Sequence, residues 1–390
     1  MKLPDSKERM MSKIKYRQCN KLVLDTTYPG IEFNSKGECN FVNHFERNVR
    51  PNWKNNQSGT TELRALVEQI KNNGRNKEFD CILGLSGGAD SSYMLHVLVK
   101  EFDLRPLIFH VDGGWNSELA VNNIEKLVNG LSLDLFTEVI NWKEMQDFQL
   151  AMFKSGVPHL DIPQDLAFVG VLYKFAQKYN IKYIFNGGNI STECVPRPLE
   201  LIYYGTDMRH INDILSKYGT IKMDTYPFTS IFYHKLYLRY FRGIKVIKPL
   251  NFIDYKKEKA IAELETLYDW RRYPQKHFES RFTKFFEGYW LRERFNFDIR
   301  RVDLSSLILT NQISREDALA VLQTSPYDDE TLKLDFKYIA DKLGISQDEL
   351  ISYRDMPVKT YKDYKNLKSL LAFGERIFSI LAKTQRGGAF

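Results

Sequence analysis

Between residues 61 and 250 the chain alternates between short apolar runs and longer segments with helical periodicity. The apolar runs predict strands near 80–85, 106–111, 134–140, 182–186 and 244–247. The periodic segments between them predict helices near 90–101, 117–129, 142–153 and 164–179. Strands and helices that alternate at this spacing are typical of a parallel sheet with helices on both faces. The sequence therefore predicts an α/β fold built on a doubly wound parallel sheet.

The two ends of the chain have different patterns. The first sixty residues combine short apolar runs with turns, which predicts a small strand-and-turn appendage, and a helix follows from Thr61 with Gly74 as its C-cap. From about 252 the pattern is helical, over 255–267, 275–294, 314–323, 330–343 and 364–384. Leu343-Gly344-Ile345-Ser346, followed by Glu349, predicts a helix stop and restart. We therefore expect an appendage over 1–60, an α/β domain over 61–250 and a helical region over 251–390.

Composition narrows the class of protein. The 390 residues are 43% hydrophobic and 27% charged, which is typical of a soluble globular protein of two or three domains. The longest weakly charged stretch, 81–99, contains glycines, serines and Asp90, so we expect no membrane span. The N-terminus lacks the apolar segment of a signal peptide, and the four cysteines are scattered. These features predict a cytoplasmic protein with reduced thiols.

A glycine pair marks the end of the first predicted strand. Ser86-Gly87-Gly88-Ala89-Asp90-Ser91-Ser92 lies between the buried run 81–85 and a helical pattern. Adjacent glycines let the backbone approach an anion, and a helix start offers free N–H groups and partial positive charge. The serine hydroxyls add donors, and Asp90 is suited to cap the helix or to hold a hydrated Mg²⁺. The segment therefore predicts a phosphate-binding loop, although neither common nucleotide fingerprint is present.

Two further strand ends carry the same combination of residues. Asp112-Gly113-Gly114 follows the second predicted strand, and Asn186-Gly187-Gly188-Asn189 follows the fourth. Ligands of parallel sheets bind beyond the carboxyl ends of the strands. Three glycine pairs at one edge of a sheet therefore predict a single ligand site.

Positive charge is concentrated in two segments. The net charge of +7 is modest, but 234–248 carries six basic residues (His234 included) and no acidic one, and 270–301 is rich in arginine and aromatic residues. Such segments suit a nucleic acid, a nucleotide-linked sugar or an anionic membrane surface. The aromatic residues between 226 and 297 fit either a stacking surface or a core between helices. Charge alone does not distinguish these partners.

The loop over 86–92 resembles the SGGxDS pyrophosphate loop (PP-loop) of the ATP pyrophosphatases, whose fold is of the adenine nucleotide alpha hydrolase type. Five segments also resemble one branch of that superfamily, the N-acetyl sugar amidotransferases of bacterial surface-polysaccharide and O-antigen synthesis. These segments are LSGGADSSYMLHVL (85–98), VDGGWNSELAVNNIEKLV (111–128), FNGGNISTE (185–193), IKPLNFIDYKKEKA (247–260) and WRRYPQKHFESRFTKFFEGYW (270–290).

The resemblance implies an activity and its partners. Such an enzyme converts a sugar N-acetyl group to an acetamidino group, with ATP and Mg²⁺ as cofactors and AMP and pyrophosphate as products. The acceptor is a nucleotide-linked N-acetyl sugar, and ammonia comes from a separate glutaminase subunit. No glutaminase signature occurs in this chain, so we expect such a partner, and neither a nucleic acid nor a membrane span.

The resemblance also implies roles for individual residues. The phosphates of ATP are expected to bind to Ser86, Gly87, Gly88, Ser91 and Ser92, and Mg²⁺ is expected to bind to Asp90. The adenosine pocket is expected to be formed by Asp112, Gly113, Gly187, Gly188 and Asn189. Lys257 is the expected phosphate-neutralising cation, unless it is a solvated helix lysine. Lys276, His277, Glu279 and Arg281 are expected on one helix, where His277 and Arg281 share a face and His277 or Glu279 transfers a proton. The alternative is a structural role for His277.

One departure from the family pattern concerns zinc. Relatives carry two C-x-x-C pairs near the N-terminus, whereas Cys19 and Cys39 here are each followed by a non-cysteine partner, Leu22 and Val42. Two thiolates, even with His44, are one ligand short of a structural zinc site. We therefore expect no zinc, with Leu22 and Val42 packed in place of metal-bound sulfur.

Two other functions stay open at this stage. A tRNA-modifying enzyme of the same superfamily would suit the basic segments, although the paired cysteines used in thiolation are missing. A non-catalytic nucleotide-binding scaffold for the glutaminase is the other alternative. Release of AMP and pyrophosphate, rather than ADP and phosphate, in the presence of candidate sugars would distinguish them.

Overall fold

A computed structural model of the chain describes residues 15–372. Its centre is one sheet of five strands, β1 Cys81–Gly84, β2 Pro106–Asp112, β3 Leu135–Val139, β4 Tyr183–Phe185 and β5 Lys245–Ile247. Every pairing is parallel, and the strand order is β3-β2-β1-β4-β5. The predicted α/β class and all five predicted strands are confirmed.

The strand order creates a crevice at β1. The chain continues from β1 to β2 on one side, crosses to β3, and returns to β4 on the other side of β1. The connection after β1 therefore runs to one side, towards β2, whereas the connection after the adjacent strand β4 runs to the other side, towards β5. This is the topological switch point at which parallel sheets bind ligands. The loop over 86–92 begins two residues after β1 ends.

Helices surround the sheet. Their bounds in the first half are Asn40–His44, Phe45–Val49, Arg50–Asn52, Gln57–Gly74, Ala89–Lys100, Glu118–Gly130, Trp142–Ser155, Ile162–Lys178 and Ile190–Glu193. Those in the second half are Met208–Tyr218, Tyr233–Phe241, Pro249–Asn251, Lys257–Tyr268, Arg281–Phe285, Phe286–Trp290, Leu291–Phe295, Arg300–Leu309, Arg315–Gln323, Asp329–Leu343, Gln347–Asp355 and Tyr361–Asp363. No helix within residues 15–372 is long and apolar enough to cross a membrane.

Alternate residues of the three central strands, β2, β1 and β4, enter two different cores. Ile82 of β1 packs into a core that also contains the helices Trp142–Ser155 and Ile162–Lys178. Leu83, the next residue, packs on the opposite face with the helices Gln57–Gly74, Ala89–Lys100 and Lys257–Tyr268. This period of two is the pattern of a strand buried on both faces, so the sheet is doubly wound as predicted.

The N-terminal segment packs on the C-terminal helices. Arg315 donates to the carbonyl oxygens of Leu22 and Cys19 at 3.1 and 3.0 Å, and Arg301 pairs with the buried Asp25 at 3.1 Å. Over 15–39 the structure contains turns and two isolated β-bridges rather than regular strands. The first core extends from this segment along one face of the sheet to helices beyond 280, so the N-terminal segment shares its interior with the C-terminal helices.

Cys19 and Cys39 lie side by side in that interior. The Cys39 N–H donates to Cys19 Sγ at 3.2 Å, and the Leu22 N–H donates to the same sulfur at 3.4 Å. Leu22 is buried, Val42 is partly buried against the same core, and His44 is exposed. Among the described residues, no group of three or more His, Cys, Asp or Glu is arranged to hold a metal ion.

Some helix boundaries differ from the predictions. The helix expected over 275–294 begins only at Arg281, because 275–280 forms a turn followed by a β-bridge. The helix expected from Thr61 begins at Gln57, with Asn56 as its N-cap, and Gly74 is its last residue rather than its cap. The helices Met208–Tyr218, Tyr233–Phe241 and Arg300–Leu309 were not predicted, whereas Gln347–Asp355 begins at the predicted restart after Ser346. Most of the segment 364–384, and both chain ends, lie outside the described residues.

Candidate active site

The loop over 86–92 is held open by its own side chains. Ser86 Oγ lies 3.0 Å from Ser91 Oγ and accepts from the Gly88 N–H at 3.3 Å. Gly87 has φ +87°, a left-handed conformation that favours glycine, and Gly88 is the N-cap of the helix Ala89–Lys100. Because no side chain caps this helix, its first N–H groups are available to an anion. The local geometry is that of a phosphate-binding turn.

The ends of three strands meet at this loop. A Cβ added to Gly187, after β4, would lie 3.3 Å from the Ser91 backbone nitrogen, so these two loops are in close contact and glycine fits between them without displacement. His110, near the end of β2, donates from Nδ1 to the Leu85 carbonyl oxygen at 2.8 Å. Its Nε2 accepts from Asn116 Nδ2 at 2.8 Å, which identifies the neutral Nδ1–H tautomer. The predicted convergence of glycine-bearing strand ends is confirmed.

The turn over 275–280 lies directly over the loop. The Ser117 N–H donates to the Glu279 carbonyl oxygen at 2.9 Å, and the Arg281 N–H donates to the Trp115 carbonyl oxygen at 2.8 Å. A Cβ added to Gly88 would lie 1.8 Å from Glu279 Oε1, so the carboxylate packs against the glycine backbone. His277 has φ +66°, a conformation that costs about 1–2 kcal/mol for a residue with a Cβ. Tertiary pairing therefore fixes this turn in a shape that local propensity disfavours.

Lys276 links the turn to two acidic side chains. Its Nζ lies 2.6 Å from Glu193 Oε1 and 3.6 Å from Asp90 Oδ2. Burial alone would lower the pKa of Lys276, but Asp90 and Glu193 outweigh burial and raise this pKa. Burial would likewise raise the pKa of Glu193, but Lys276 holds it below its usual value. Lys276 is therefore a fixed cation beside the phosphate-binding loop.

A second charged cluster, formed by Arg197, His277 and Glu287, adjoins the first. Glu287 Oε1 accepts from Arg197 at 2.8 Å, and its Oε2 lies 3.1 Å from His277 Nδ1. Burial opposes ionisation of Glu287, but Arg197 and His277 lower its pKa to about 2. The pKa of His277 is raised, because Glu287 outweighs burial and the charge of Arg197. His277 Nδ1 also lies 2.9 Å from Arg197 Nη2, so this ring nitrogen faces both members of the cluster, which fixes the orientation of the imidazole ring.

These groups line one cavity of about 800 Å³. The loop and the turn line it together with Lys257 and Arg272. Met145, His159 and Asp161 line it as well. Asp161 accepts from Thr283 Oγ1 at 2.6 Å, and burial followed by the charge of Asp165 raises its pKa to about 7. The volume is in the range of sites that enclose a nucleotide-sized ligand.

The structure brings most of the predicted residues to this cavity. Those that line it are Ser86, Gly88, Asp90, Ser91, Gly113, Gly187, Gly188, Lys257, Lys276, His277 and Glu279. Gly87 shapes the loop from behind, and Ser92 is buried with an unpartnered hydroxyl in the described structure. Asp112 Oδ1 accepts from the Gly114 N–H at 2.8 Å, and Asn189 caps the helix Ile190–Glu193. Asp112 and Asn189 therefore support the strand ends rather than line the cavity.

The predicted helical relationship of His277 and Arg281 is wrong. His277 lies in the turn and pairs with Glu287, whereas Arg281 is the first residue of its helix and pairs with Asp335 at 2.5 Å. The spacing of four residues places two side chains on one helix face only if the intervening residues are helical. Here the β-bridge between Asn116 and Ser280 interrupts the chain before the helix begins.

Several cavity residues were not singled out from the sequence. They are His110, Asn116, Asp161, Glu193, Arg197 and Glu287. Glu193 and Asn116 follow the glycine pairs within a few residues in the sequence. The principle that ligands bind beyond the carboxyl ends of the strands therefore also applies to these two residues. Arg197 and Glu287 are ninety residues apart and belong to no motif, so only the tertiary structure brings them together.

The two carboxylates at the loop, Asp90 and Glu279, differ in how freely they could coordinate Mg²⁺. Asp90 Oδ1 accepts from Tyr255 Oη at 2.5 Å, and Lys276 faces Oδ2, so both oxygens already have partners. Glu279 has no side-chain partner within residues 15–372, and burial raises its pKa. Mg²⁺ that arrives with ATP needs only one or two carboxylates in addition to phosphate oxygens and water. Glu279 and Asp90 fit that requirement together.

Comparison with known proteins places the C-terminal segment in a family. Residues 279–377, roughly a quarter of the chain, match the family described as "LPS biosynthesis protein WbpG-like, C-terminal domain". The resemblance to proteins of surface-polysaccharide synthesis is therefore confirmed for this segment. The match begins at Glu279, the residue that packs against Gly88. No curated protein matches the chain.

Two solved structures share distant similarity with the chain. NMN synthetase from Francisella tularensis is 15% identical with a TM-score of 0.33, and the match covers 78% of this chain and 99% of that one. The NH3-dependent NAD synthetase from Campylobacter jejuni subsp. jejuni NCTC 11168, in complex with the nitrate ion, is 16% identical with a TM-score of 0.29, and the match covers 69% and 98%. Similarity at this level does not bear on the function of the site.

Proposed function

We propose that this protein is an AMP-forming, ATP-dependent amidotransferase that converts the N-acetyl group of a nucleotide-linked sugar to an acetamidino group. The observation that carries the proposal is the contact between Glu279 and Gly88. It joins the family-matched segment to the phosphate-binding loop within one cavity of about 800 Å³. A site that only stored a nucleotide would have no need of a charged turn over its phosphates.

The chemistry explains why such a site needs ATP. An amide carbon resists ammonia, because the nitrogen lone pair reduces its electrophilicity and oxide is a very poor leaving group. Attack of the acetamide oxygen on the α-phosphorus releases pyrophosphate and turns that oxygen into part of a good leaving group. Ammonia then adds to the carbon, and AMP departs with the original acetamide oxygen. The products are the amidine, AMP and pyrophosphate.

The residues of the loop and the turn are suited to the first step. The free N–H groups at the start of the helix Ala89–Lys100, with Ser86 and Ser91, bind the phosphates that leave as pyrophosphate. Lys276 stays charged beside them and neutralises the charge that develops on the leaving oxygen. Lys257, which also lines the cavity, supplies a second cation. Catalysis by these groups consists of alignment and electrostatic stabilisation.

In the second step, Glu279 or His277 transfers the proton. Both line the cavity, and burial raises the pKa of Glu279 above its usual value, which makes its carboxylate a better proton acceptor. His277 Nδ1 is held by Glu287, so Nε2 is the ring nitrogen available to exchange a proton. Ammonia is supplied by a separate glutaminase subunit, because this sequence carries no glutaminase signature.

The test is an isotope experiment with the full chain, ATP, Mg²⁺, ammonium and a panel of nucleotide-linked N-acetyl sugars. We expect AMP and pyrophosphate only with an N-acetyl sugar, and ¹⁸O from a labelled acetamide carbonyl should appear in AMP. The matched control is the same nucleotide sugar with a hydroxyl in place of the acetamide. ADP and phosphate as products, or AMP without label, contradict the mechanism. AMP formation with bulk tRNA but with no sugar would support the tRNA-modifying alternative instead.

A further inference from the structure

The helix Tyr233–Phe241 presents apolar side chains to solvent. Leu238 is its one buried residue, whereas Leu236 and Tyr237 are 38% and 42% exposed and Phe241 is 80% exposed. The rings of Tyr233, Tyr237 and Phe241 stack in sequence along the helix, with centroids 5.4 and 5.9 Å apart. Soluble proteins seldom expose a contiguous stripe of this kind without a function for it.

The charge around this stripe has a single sign. Between residues 225 and 253 the chain contains no aspartate or glutamate, but it contains Lys235, Arg239, Arg242, Lys245 and Lys248. All five of these basic side chains are exposed. Lys248 follows the carboxyl end of β5 beside Gly188, so the other four are the bases near the stripe. Lysine and glutamate alternate over most of the remaining surface, so a one-sided cationic region of this length is unusual for this protein.

The stripe lies at the end of the sheet away from the cavity. His234 stacks on Tyr173 of the helix Ile162–Lys178, which anchors the start of the exposed helix. Phe241 at its other end leads through Gly243 into Lys245, the first residue of β5. Phe241 therefore lies near the amino ends of the strands, whereas the phosphate-binding loop follows their carboxyl ends. Changes to this surface leave the proposed active site intact.

We infer that the helix Tyr233–Phe241 is a membrane-surface helix that binds bilayers containing anionic lipids. Its aromatic and aliphatic stripe enters the boundary between headgroups and acyl chains, and its lysines and arginines pair with the lipid phosphates. Tyrosine and phenylalanine are favoured at this depth of a bilayer. The charge complementarity selects an anionic membrane over a second copy of the same chain, because two copies would bring like charges together.

The stripe also favours a membrane over a nucleic acid. A groove that tracks a phosphate backbone needs cations and flat stacking faces, whereas Leu236 and Phe241 gain most from contact with hydrocarbon. Binding at this surface would hold the enzyme at the membrane with its cavity facing the aqueous side. That placement suits the similarity of residues 279–377 to a family described by LPS biosynthesis, because lipopolysaccharide carries a lipid.

The test is sedimentation of the full chain with vesicles of phosphatidylglycerol and phosphatidylcholine, compared with vesicles of phosphatidylcholine alone. We expect binding to the anionic vesicles only, with less protein bound as salt increases. Neutralising two bases, Lys235→Gln with Arg239→Gln, is expected to weaken partitioning roughly thirtyfold. Phe241→Ser with Tyr237→Ser is expected to reduce it by a comparable factor. AMP formation should be unchanged in both variants.

Matched controls carry the same substitutions elsewhere on the surface. Leu334→Ser removes an exposed leucine, and Lys100→Gln with Lys143→Gln removes two exposed lysines. Equal binding to both kinds of vesicle, or equal losses in the controls, would overturn the inference. The inference would also be wrong if the stripe variants still bound vesicles but no longer self-associated, or no longer bound RNA. The proposed amidotransferase activity is measured separately and does not depend on these outcomes.

Discussion

Glu279 and Gly88 are in such close contact that a methyl group on the glycine would occupy the position of the carboxylate. The ideal Cβ position at Gly88 lies 1.8 Å from Glu279 Oε1, well inside any van der Waals separation. The glycine at this position of the loop thus leaves room for a side chain that is distant in sequence, as well as for the phosphate. The contribution of this contact to stability can be measured independently of ATP.

Gly88→Ala is expected to destabilise the protein by about 1–3 kcal/mol, because the added methyl group displaces Glu279. In a Glu279→Ala background the same change should cost much less, since the carboxylate is gone. Urea denaturation of the four proteins in this double-mutant cycle gives the coupling energy. Additive costs in the cycle would show that the two residues are not in contact.

Ser86→Ala combined with Asp90→Asn is expected to abolish AMP formation without unfolding the protein, because both residues line the cavity. Ser92→Ala is the comparison. Its buried hydroxyl does not line the cavity in the described structure, so we expect a much smaller loss of activity. The measurement is AMP release together with the thermal transition of each variant. A folded double variant that still forms AMP would remove the loop from the mechanism.

The sequence predicted the sheet and the phosphate-binding loop well, because both follow from local pattern. Buried runs of four to seven residues have one stable arrangement in an alternating α/β chain, and a glycine pair at a strand end needs no distant partner to be recognised. The helix break at Gly344, followed by the N-cap Ser346, is recognisable for the same reason, and Ser346 does accept from the Glu349 N–H at 3.0 Å.

The turn over 275–280 shows where local pattern fails. The residues from Lys276 to Arg281 have helical spacing, but backbone pairing with 115–117 overrides that propensity and holds His277 in a left-handed conformation. The partners of His277 could not be inferred either. Arg197 lies eighty residues away between two prolines, and nothing in its local sequence marks it as a member of a charged cluster.

Two lysines of the cavity are expected to differ in importance. Lys276→Met removes the cation that Glu193 and Asp90 hold at the loop, and we expect AMP formation to fall by about two to three orders of magnitude. Lys257→Met should cost less, and Lys259→Met, on the exposed face of the same helix, should cost nothing. Turnover at saturating ATP checks this order. Equal activities of the Lys257 and Lys259 variants would identify Lys257 as a solvated helix lysine.

Asp161 is expected to make stability depend on pH. Its pKa is raised to about 7 in the folded protein, whereas in the unfolded chain it is about 4. Between these values the folded state binds the extra proton, so the free energy of unfolding falls as pH rises, by up to about 1.4 kcal/mol per unit. Urea denaturation from pH 4 to 8 measures the slope. The Asp161→Asn variant should show a smaller slope of unfolding free energy against pH, whereas the exposed control Glu125→Gln should leave the slope unchanged. If Asp161→Asn also leaves the slope unchanged, Asp161 is not its source.

Ammonia use is expected to rise with pH in the isolated chain. The pKa of ammonium is near that of a lysine side chain, so only about one part in a thousand is the nucleophilic free base at pH 7. A partner that releases ammonia into a closed site avoids this limit and keeps water from the adenylated acetamide. We therefore expect AMP formation at fixed total ammonium to increase from pH 7 to 9, and glutamine to replace ammonium only when a separate glutaminase is added. Turnover of glutamine by the purified chain alone would contradict the two-subunit proposal, and would require an amidase site within this sequence.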